Sequence, residues 1–213
     1  GGGPPTRDYE EWDRLHSFSA PLGEGGPQYS AAAFMPSDPQ VFALAMPEGV
    51  QLWQQGEAST CSSHLEHPGV TSIAFHKAQP MLGSAANDGS IVVWDAEDSG
   101  ALYKARGSSA ALTGIRFIGS DEGFQFAFAT TGLDGCARLW DARFEEQALC
   151  VQCPQALTCV EYHDGSHQLL VGCTDGLIHR CDARTGRELP SLDGSLFCPG
   201  TTDHARSLAT SPS

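Results

Sequence analysis

One short pattern recurs along this chain at nearly even spacing, and a repeat of that period dictates a fold built from stacked copies of a single unit. Asn87-Asp88-Gly89-Ser90-Ile91-Val92-Val93-Trp94-Asp95 aligns with Leu133-Asp134-Gly135-Cys136-Ala137-Arg138-Leu139-Trp140-Asp141, and then with Thr174-Asp175-Gly176-Leu177-Ile178-His179-Arg180-Cys181-Asp182. A weaker copy, Pro47-Glu48-Gly49-Val50-Gln51-Leu52-Trp53-Gln54, precedes them. The glycines Gly49, Gly89, Gly135 and Gly176 are read as equivalent turn residues, recurring at about the 40–45-residue period of a four-stranded unit.

Each unit carries the same order of patterns. An alternating run comes first: Val70 to Phe75, Leu112 to Phe117, and Leu157 to Tyr162. Its period of two predicts a half-buried strand. A run apolar at most positions follows (Met81 to Ala86, Phe124 to Thr131, Gln168 to Cys173), as expected of a strand packed on both faces. Asp-Gly then closes a hairpin, because Gly accepts positive φ and Asp bonds the local backbone. A third strand ends in Trp-Asp, and a fourth is expected at Ala101-Leu102-Tyr103, Ala148 to Val151, and Arg187-Glu188-Leu189. The longer middle unit takes its extra residues at Gly119 to Gly123, where a loop lengthens at little cost.

Four antiparallel strands per unit, with no amphipathic helix between units, resemble the blades of the WD-repeat β-propeller family. The resemblance covers roughly residues 28–192 and implies an all-β propeller, partial here with about four blades. It also implies a hydrogen-bonded set tying each blade: a hydroxyl on the second strand, the turn Asp, the third-strand Trp and a His before the first strand. Ser84, Asp88, Trp94 and His67 fit one set, and Thr130, Asp134 and Trp140 a second that has no His. The last unit keeps Asp175 but has Val171 for the hydroxyl and Cys181 for the Trp. In the first, Gln54 replaces the Asp after Trp53.

Residues 1–27 are expected to be a linker or the remnant of a preceding blade, with Leu15 to Pro21 as that blade's last strand and Trp12-Asp13 as a further trace. Residues 193–213 lack periodicity and are expected to be a disordered tail. Lys+Arg 12 against Asp+Glu 26 gives a formal charge of −14, which repels a phosphate backbone and argues against direct nucleic-acid binding. Basic peptides are the partners such a surface steers in. No apolar run is long enough to span a bilayer. The eight cysteines lack the close spacing of a secreted scaffold and point to a reducing intracellular setting, cytoplasmic or nuclear.

No catalytic residue, cofactor or metal ligand is expected. Nucleophile-elbow, phosphate-loop and zinc-protease signatures are absent from the sequence. Cys150-Val151-Gln152-Cys153 has a metal-pair spacing, but on a strand that spacing sends the two thiols to opposite faces. The reading is therefore a non-enzymatic scaffold binding other proteins in a multiprotein complex. Trp140-Asp141-Ala142-Arg143, echoed by Cys181-Asp182-Ala183-Arg184, resembles the box by which substrate receptors dock on a cullin-RING ubiquitin-ligase adaptor. That makes Asp141, Arg143, Asp182 and Arg184 docking candidates and a ligase receptor the alternative role. A second alternative is the propeller part of a larger enzyme whose catalytic domain lies elsewhere.

Overall fold

The computed structural model describes residues 29–56, 59–119, 125–144 and 146–193. They form four sheets of four antiparallel strands, each made from strands consecutive in the chain. The first comprises β1 (Ala31–Met35), β2 (Asp38–Met46), β3 (Gly49–Gln54) and β4 (Thr60–Glu66), and the second β5 (Val70–Phe75), β6 (Met81–Ala86), β7 (Ser90–Asp95) and β8 (Ala101–Arg106). The third holds β9 (Leu112–Phe117), β10 (Ala127–Gly132), β11 (Cys136–Asp141) and β12 (Leu149–Gln152). The fourth holds β13 (Leu157–His163), β14 (Gln168–Cys173), β15 (Leu177–Asp182) and β16 (Glu188–Asp193). The last strand includes Asp193, one residue past the limit read from the sequence. Trp12-Asp13, Leu15 to Pro21 and most of the expected tail lie outside the described residues.

Neighbouring sheets pack face to face, and the apolar core is accordingly divided among the three joints. Leu52 and Leu65 meet Val70, Phe75, Leu82 and Trp94 at the first joint. Tyr103 and Ile91 meet Leu112, Phe117, Phe128 and Trp140 at the second. Leu139 and Val151 meet Leu157, Tyr162, Leu169 and Cys181 at the third. This two-sided packing explains a departure from the sequence reading. β5 does not alternate between buried and exposed positions: Ile73, Ala74 and Phe75 are all buried, because each face of the strand has a neighbouring sheet.

A cross-strand row recurs in all four sheets. Phe34 pairs with Phe42 and Phe42 with Trp53 in the first, while Phe75, Leu82 and Trp94 are aligned in the second. Phe117, Phe128 and Trp140 form the third row, and Tyr162, Leu169 and Cys181 the fourth. In sheets two to four the row is buried against the preceding sheet. In the first sheet the stacking is the same, with Phe42 and Trp53 rings 6.3 Å apart at 10° against 6.3 Å and 13° for Phe128 and Trp140, yet Phe34 is 65 % exposed. The sheet is built like the others, but no described sheet covers this face.

The register also corrects one equivalence. Met46 pairs with Gly49 across a turn one residue shorter than the Asn87-Asp88-Gly89 turn, so Gly49 occupies the position of Ser90 and begins β3. Gly89 has φ +84°, whereas Gly49 is not among the positive-φ glycines. Gly49 meets a different demand, since a Cβ there would fall 2.1 Å from the Leu65 carbonyl oxygen.

Candidate functional site

The turns between second and third strands and the linkers between sheets lie at one rim, and backbone hydrogen bonds join them into a belt. At the first joint Gly69 N donates to Pro47 O and Asn87 N to Gly69 O. At the second, Gly107 N donates to Gly89 O and Leu133 N to Ala111 O; at the third, Cys153 N donates to Gly135 O and Thr174 N to Ala156 O. Every linker is thus held by the turn before it and holds the turn after it. The turns themselves are fixed by their Asp residues: Asp88, Asp134 and Asp175 each accept the N–H two residues on, from Ser90, Cys136 and Leu177.

Beneath this belt the three joints carry different side-chain chemistry. At the first, Trp94 Nε1 donates to Ser84 Oγ over 2.9 Å, and Ser84 Oγ lies 2.7 Å from His67 Nδ1. His67 Nε2 lies 2.8 Å from Ser90 Oγ, whose hydroxyl donates to Asp88. A carboxylate only accepts, which fixes the direction of the whole run. Ser90 gives its proton to Asp88, His67 Nε2–H gives to Ser90, and Nδ1 accepts from Ser84. Burial, partly opposed by the Asp88 charge, holds the His67 pKa below its ordinary value and keeps the ring neutral, as this arrangement requires. The Ser90 hydroxyl bond is the main cause that holds Asp88 below the usual carboxylate range.

At the second joint Thr130 Oγ1 accepts from Trp140 Nε1 at 2.9 Å. Asp134 receives Ser108 Oγ from the linker and Arg138 Nη2 from β11, each at 2.7 Å. Burial works against the Asp134 charge, but Arg138 and Ser108 outweigh it and the pKa falls. Neither Ser108 nor Ser90 belongs to the tying sets read from the sequence. Their one sequence cue is a hydroxyl placed beside a turn Asp or within the linker that touches it. At the third joint Val171 and Cys181 bring no such pair. Instead Cys173, Asp175 and His179 converge, their donor atoms all within 4.8 Å of one another.

The first strands of the four sheets line a groove of about 320 Å³ that includes Ser30, Thr71, Thr113, Arg116 and Thr158. Ser30 Oγ donates to Val70 O and Thr71 Oγ1 to Leu112 O, stitching the first sheet to the second and the second to the third along the groove. At the rim opposite the belt, Arg143 clasps Asp141 through Nε at 2.9 Å and Nη2 at 2.5 Å. Its guanidinium also lies 5.6 Å from the Phe126 ring centre and 5.7 Å from that of Phe144. Asp182 accepts the backbone N–H groups of Arg184 and Thr185. The docking candidates are therefore not brought together: Asp141 and Arg143 lie on one turn, Asp182 and Arg184 on the next.

Consecutive four-stranded sheets packed around a common groove, with the first strand of each lining it, define a β-propeller. Residues 57–95 match the profile of the WD domain, G-beta repeat, running from the last strand of one blade through the first three of the next. The other sheets repeat that strand order, so the described residues form four blades of a β-propeller, one of which, with the strand before it, is similar to the WD repeat. Among solved structures it is similar to the crystal structure of the computationally designed Ika8 protein, with a TM-score of 0.66 and 22 % identity. The alignment covers 78 % of this chain and 49 % of that one, so the chain spans about half the length of the structure it matches. No curated protein sequence matches it.

Proposed function

We propose for this chain the role that WD-repeat domains generally serve, that of a non-catalytic module binding other proteins; among the described residues no helix is long and apolar enough to cross a membrane. We propose that this chain is a scaffold of a multiprotein complex and that partners dock on the belted rim. The carrying observation is the continuous backbone bonding of turns and linkers. It holds loop side chains in place before a partner arrives and so lowers the ordering cost of binding. A net charge of −14 favours a basic segment as the partner. The seven described free cysteines suit a reducing, intracellular setting, cytoplasmic or nuclear.

The ligase-adaptor role receives no comparable support. It would require Arg143 to leave Asp141 and two aromatic rings, whereas rim docking asks for no rearrangement. The test is quantitative capture of partners by the wild-type chain, by a rim variant carrying Glu48→Lys and Ser109→Arg, and by an opposite-rim variant carrying Glu97→Lys and Asp98→Lys. Loss of partners with the first variant and retention with the second is the expected outcome. The reverse pattern sinks the proposal, and loss through Arg143→Glu alone transfers the role to the adaptor box.

A further inference from the structure

The third joint lacks the indole–hydroxyl tie of the two before it, yet it is the joint where metal-ligating side chains gather. We propose that Cys173, Asp175 and His179 form a zinc-binding site between the third and fourth blades, with Cys153 facing it from the linker.

The residues come together because the turn and the following strand bend back on each other. Cys173 ends β14, Asp175 lies in the turn, and His179 stands on β15 four residues later. Their donor atoms lie within 4.8 Å of one another, whereas tetrahedral zinc, at about 2.0–2.3 Å from its ligands, needs donors roughly 3.3–3.8 Å apart. The set is gathered and slightly open. Thiolate, imidazole and carboxylate together suit zinc rather than magnesium or calcium, which take oxygen ligands.

A second observation points to a ligand independently. His179 Nε2 is buried and finds no hydrogen-bond partner, while Nδ1 of the same ring is 3.3 Å from the Ser191 hydroxyl. An imidazole held through one nitrogen with the other left unmet is the arrangement of a metal-bound histidine with its supporting outer contact. Asp175 uses Oδ1 to accept Leu177 N, which orients its carboxyl group, and the Cys173 thiol reaches the linker at Ala156 O over 3.5 Å.

Comparison of the joints supports the placement of Cys153. Glu66 pairs with Gly49, and Gln152 with Cys136, at the same point of their blades, so Cys153 occupies in the third joint the position His67 occupies in the first. His67 points there into the set formed by Ser84, Ser90 and Asp88. Cys153 and His179 line one small cavity of about 20 Å³ at the blade boundary. Binding exchanges the Cys173 thiol proton for the metal and releases it to solvent; the neutral imidazole and the carboxylate enter as they stand.

The sister blades supply variants that preserve the fold. Ala86 occupies the place of Cys173 in the second blade, and Arg138 that of His179 in the third, where it pairs with the turn Asp. The full chain, freed of metal, is titrated with Co²⁺, and Zn²⁺ is then added as competitor; far-UV circular dichroism verifies folding of every variant. One equivalent of Co²⁺ should give a thiolate-to-metal charge-transfer band that Zn²⁺ abolishes. Cys173→Ala and His179→Arg should each weaken binding at least about 100-fold, given that losing merely an outer-shell partner costs 10–100-fold. Cys61→Ser and Cys150→Ser should bind as the wild type does. Absence of the thiolate band in the wild type overturns the proposal. So does unchanged affinity in the folded Cys173→Ala and His179→Arg variants, or loss of the band with Cys61→Ser or Cys150→Ser.

Discussion

Removing the hydroxyl from Ser84 should destabilise this protein more than removing it from Thr130, although both are fully buried and each accepts from an indole. Ser84 has two partners in the tie. Ser84→Ala leaves the Trp94 N–H without its acceptor and His67 Nδ1 without its donor, whereas Thr130→Val keeps side-chain volume and orphans only the Trp140 N–H. A buried polar group left unpaired costs about 1–3 kcal/mol, so the expected losses are about 2–6 kcal/mol for Ser84→Ala and about 1–3 kcal/mol for Thr130→Val. With a urea slope of about 2 kcal/mol/M, the midpoint falls by roughly 1–3 M in the first case and about half that in the second.

The converse substitution completes the series. Val171→Thr installs the hydroxyl in the fourth blade, where Cys181 replaces the indole, and should cost about 1 kcal/mol because the added group is buried without the partner Thr130 has. Unfolding followed by tryptophan fluorescence reads all three, since Trp94 and Trp140 are buried reporters. Equal losses for Ser84→Ala and Thr130→Val, or losses below about 0.5 kcal/mol for both, would refute the reasoning that the tie acts through satisfied partners.

Three further outcomes are expected. His67 has a depressed pKa, so between its folded value and the ordinary 6.5 the unfolded chain binds the extra proton; stability should be full above pH 6.5 and decline as pH falls below it. A His67 ring that by NMR titrates at or above 6.5 contradicts this. Gly89→Ala should cost more than Gly176→Ala: both have φ +84°, but the new Cβ at 89 falls 2.0 Å from Ser108 O while nothing lies within 4 Å at 176. The second substitution carries the backbone penalty of about 1 kcal/mol alone, and equal urea midpoints would refute the steric account. Disulfide-exchange labelling at pH 8, mapped by mass spectrometry, should modify exposed Cys61 and Cys150 rapidly and spare Cys136 and Cys181 until unfolding. Burial pushes both of the latter up to about 11, and rapid labelling of either disproves that protection.

Strand order was legible because Asp-Gly turns and apolar runs recur with a fixed period, and both are local properties of the chain. Two kinds of feature escaped. Burial on β5 did not follow its alternation, since exposure there depends on whether another sheet lies beyond, which no local pattern reports. The first blade's equivalence slipped by one residue because its turn is shorter, leaving a glycine near the expected place for an unrelated steric reason. The site was legible in part for a similar reason. Ser84, Trp94, Thr130 and Trp140 recur in the units and could be found by alignment, but Ser90 and Ser108 are used in one joint each. The Phe34–Phe42–Trp53 row became visible only once cross-strand register placed residues from three strands side by side.

The uneven match to the repeat profile follows from the same physics. What is constant across the joints is the backbone belt, and a backbone bond leaves almost no mark on sequence beyond the glycine that permits it. What varies is the side-chain tie beneath: a neutral imidazole between two hydroxyls in the first joint, an Arg–Asp–Ser cluster in the second, a thiol, carboxylate and imidazole in the third. Residues 57–95 match the profile because that stretch alone holds the linker His, the second-strand hydroxyl, the turn Asp and the Trp together. Blades whose joints reach stability by other chemistry keep the fold while losing the signature. Their divergence is therefore no sign of a weaker propeller, and each joint's own side chains are the place to look for what distinguishes this chain from others of its fold.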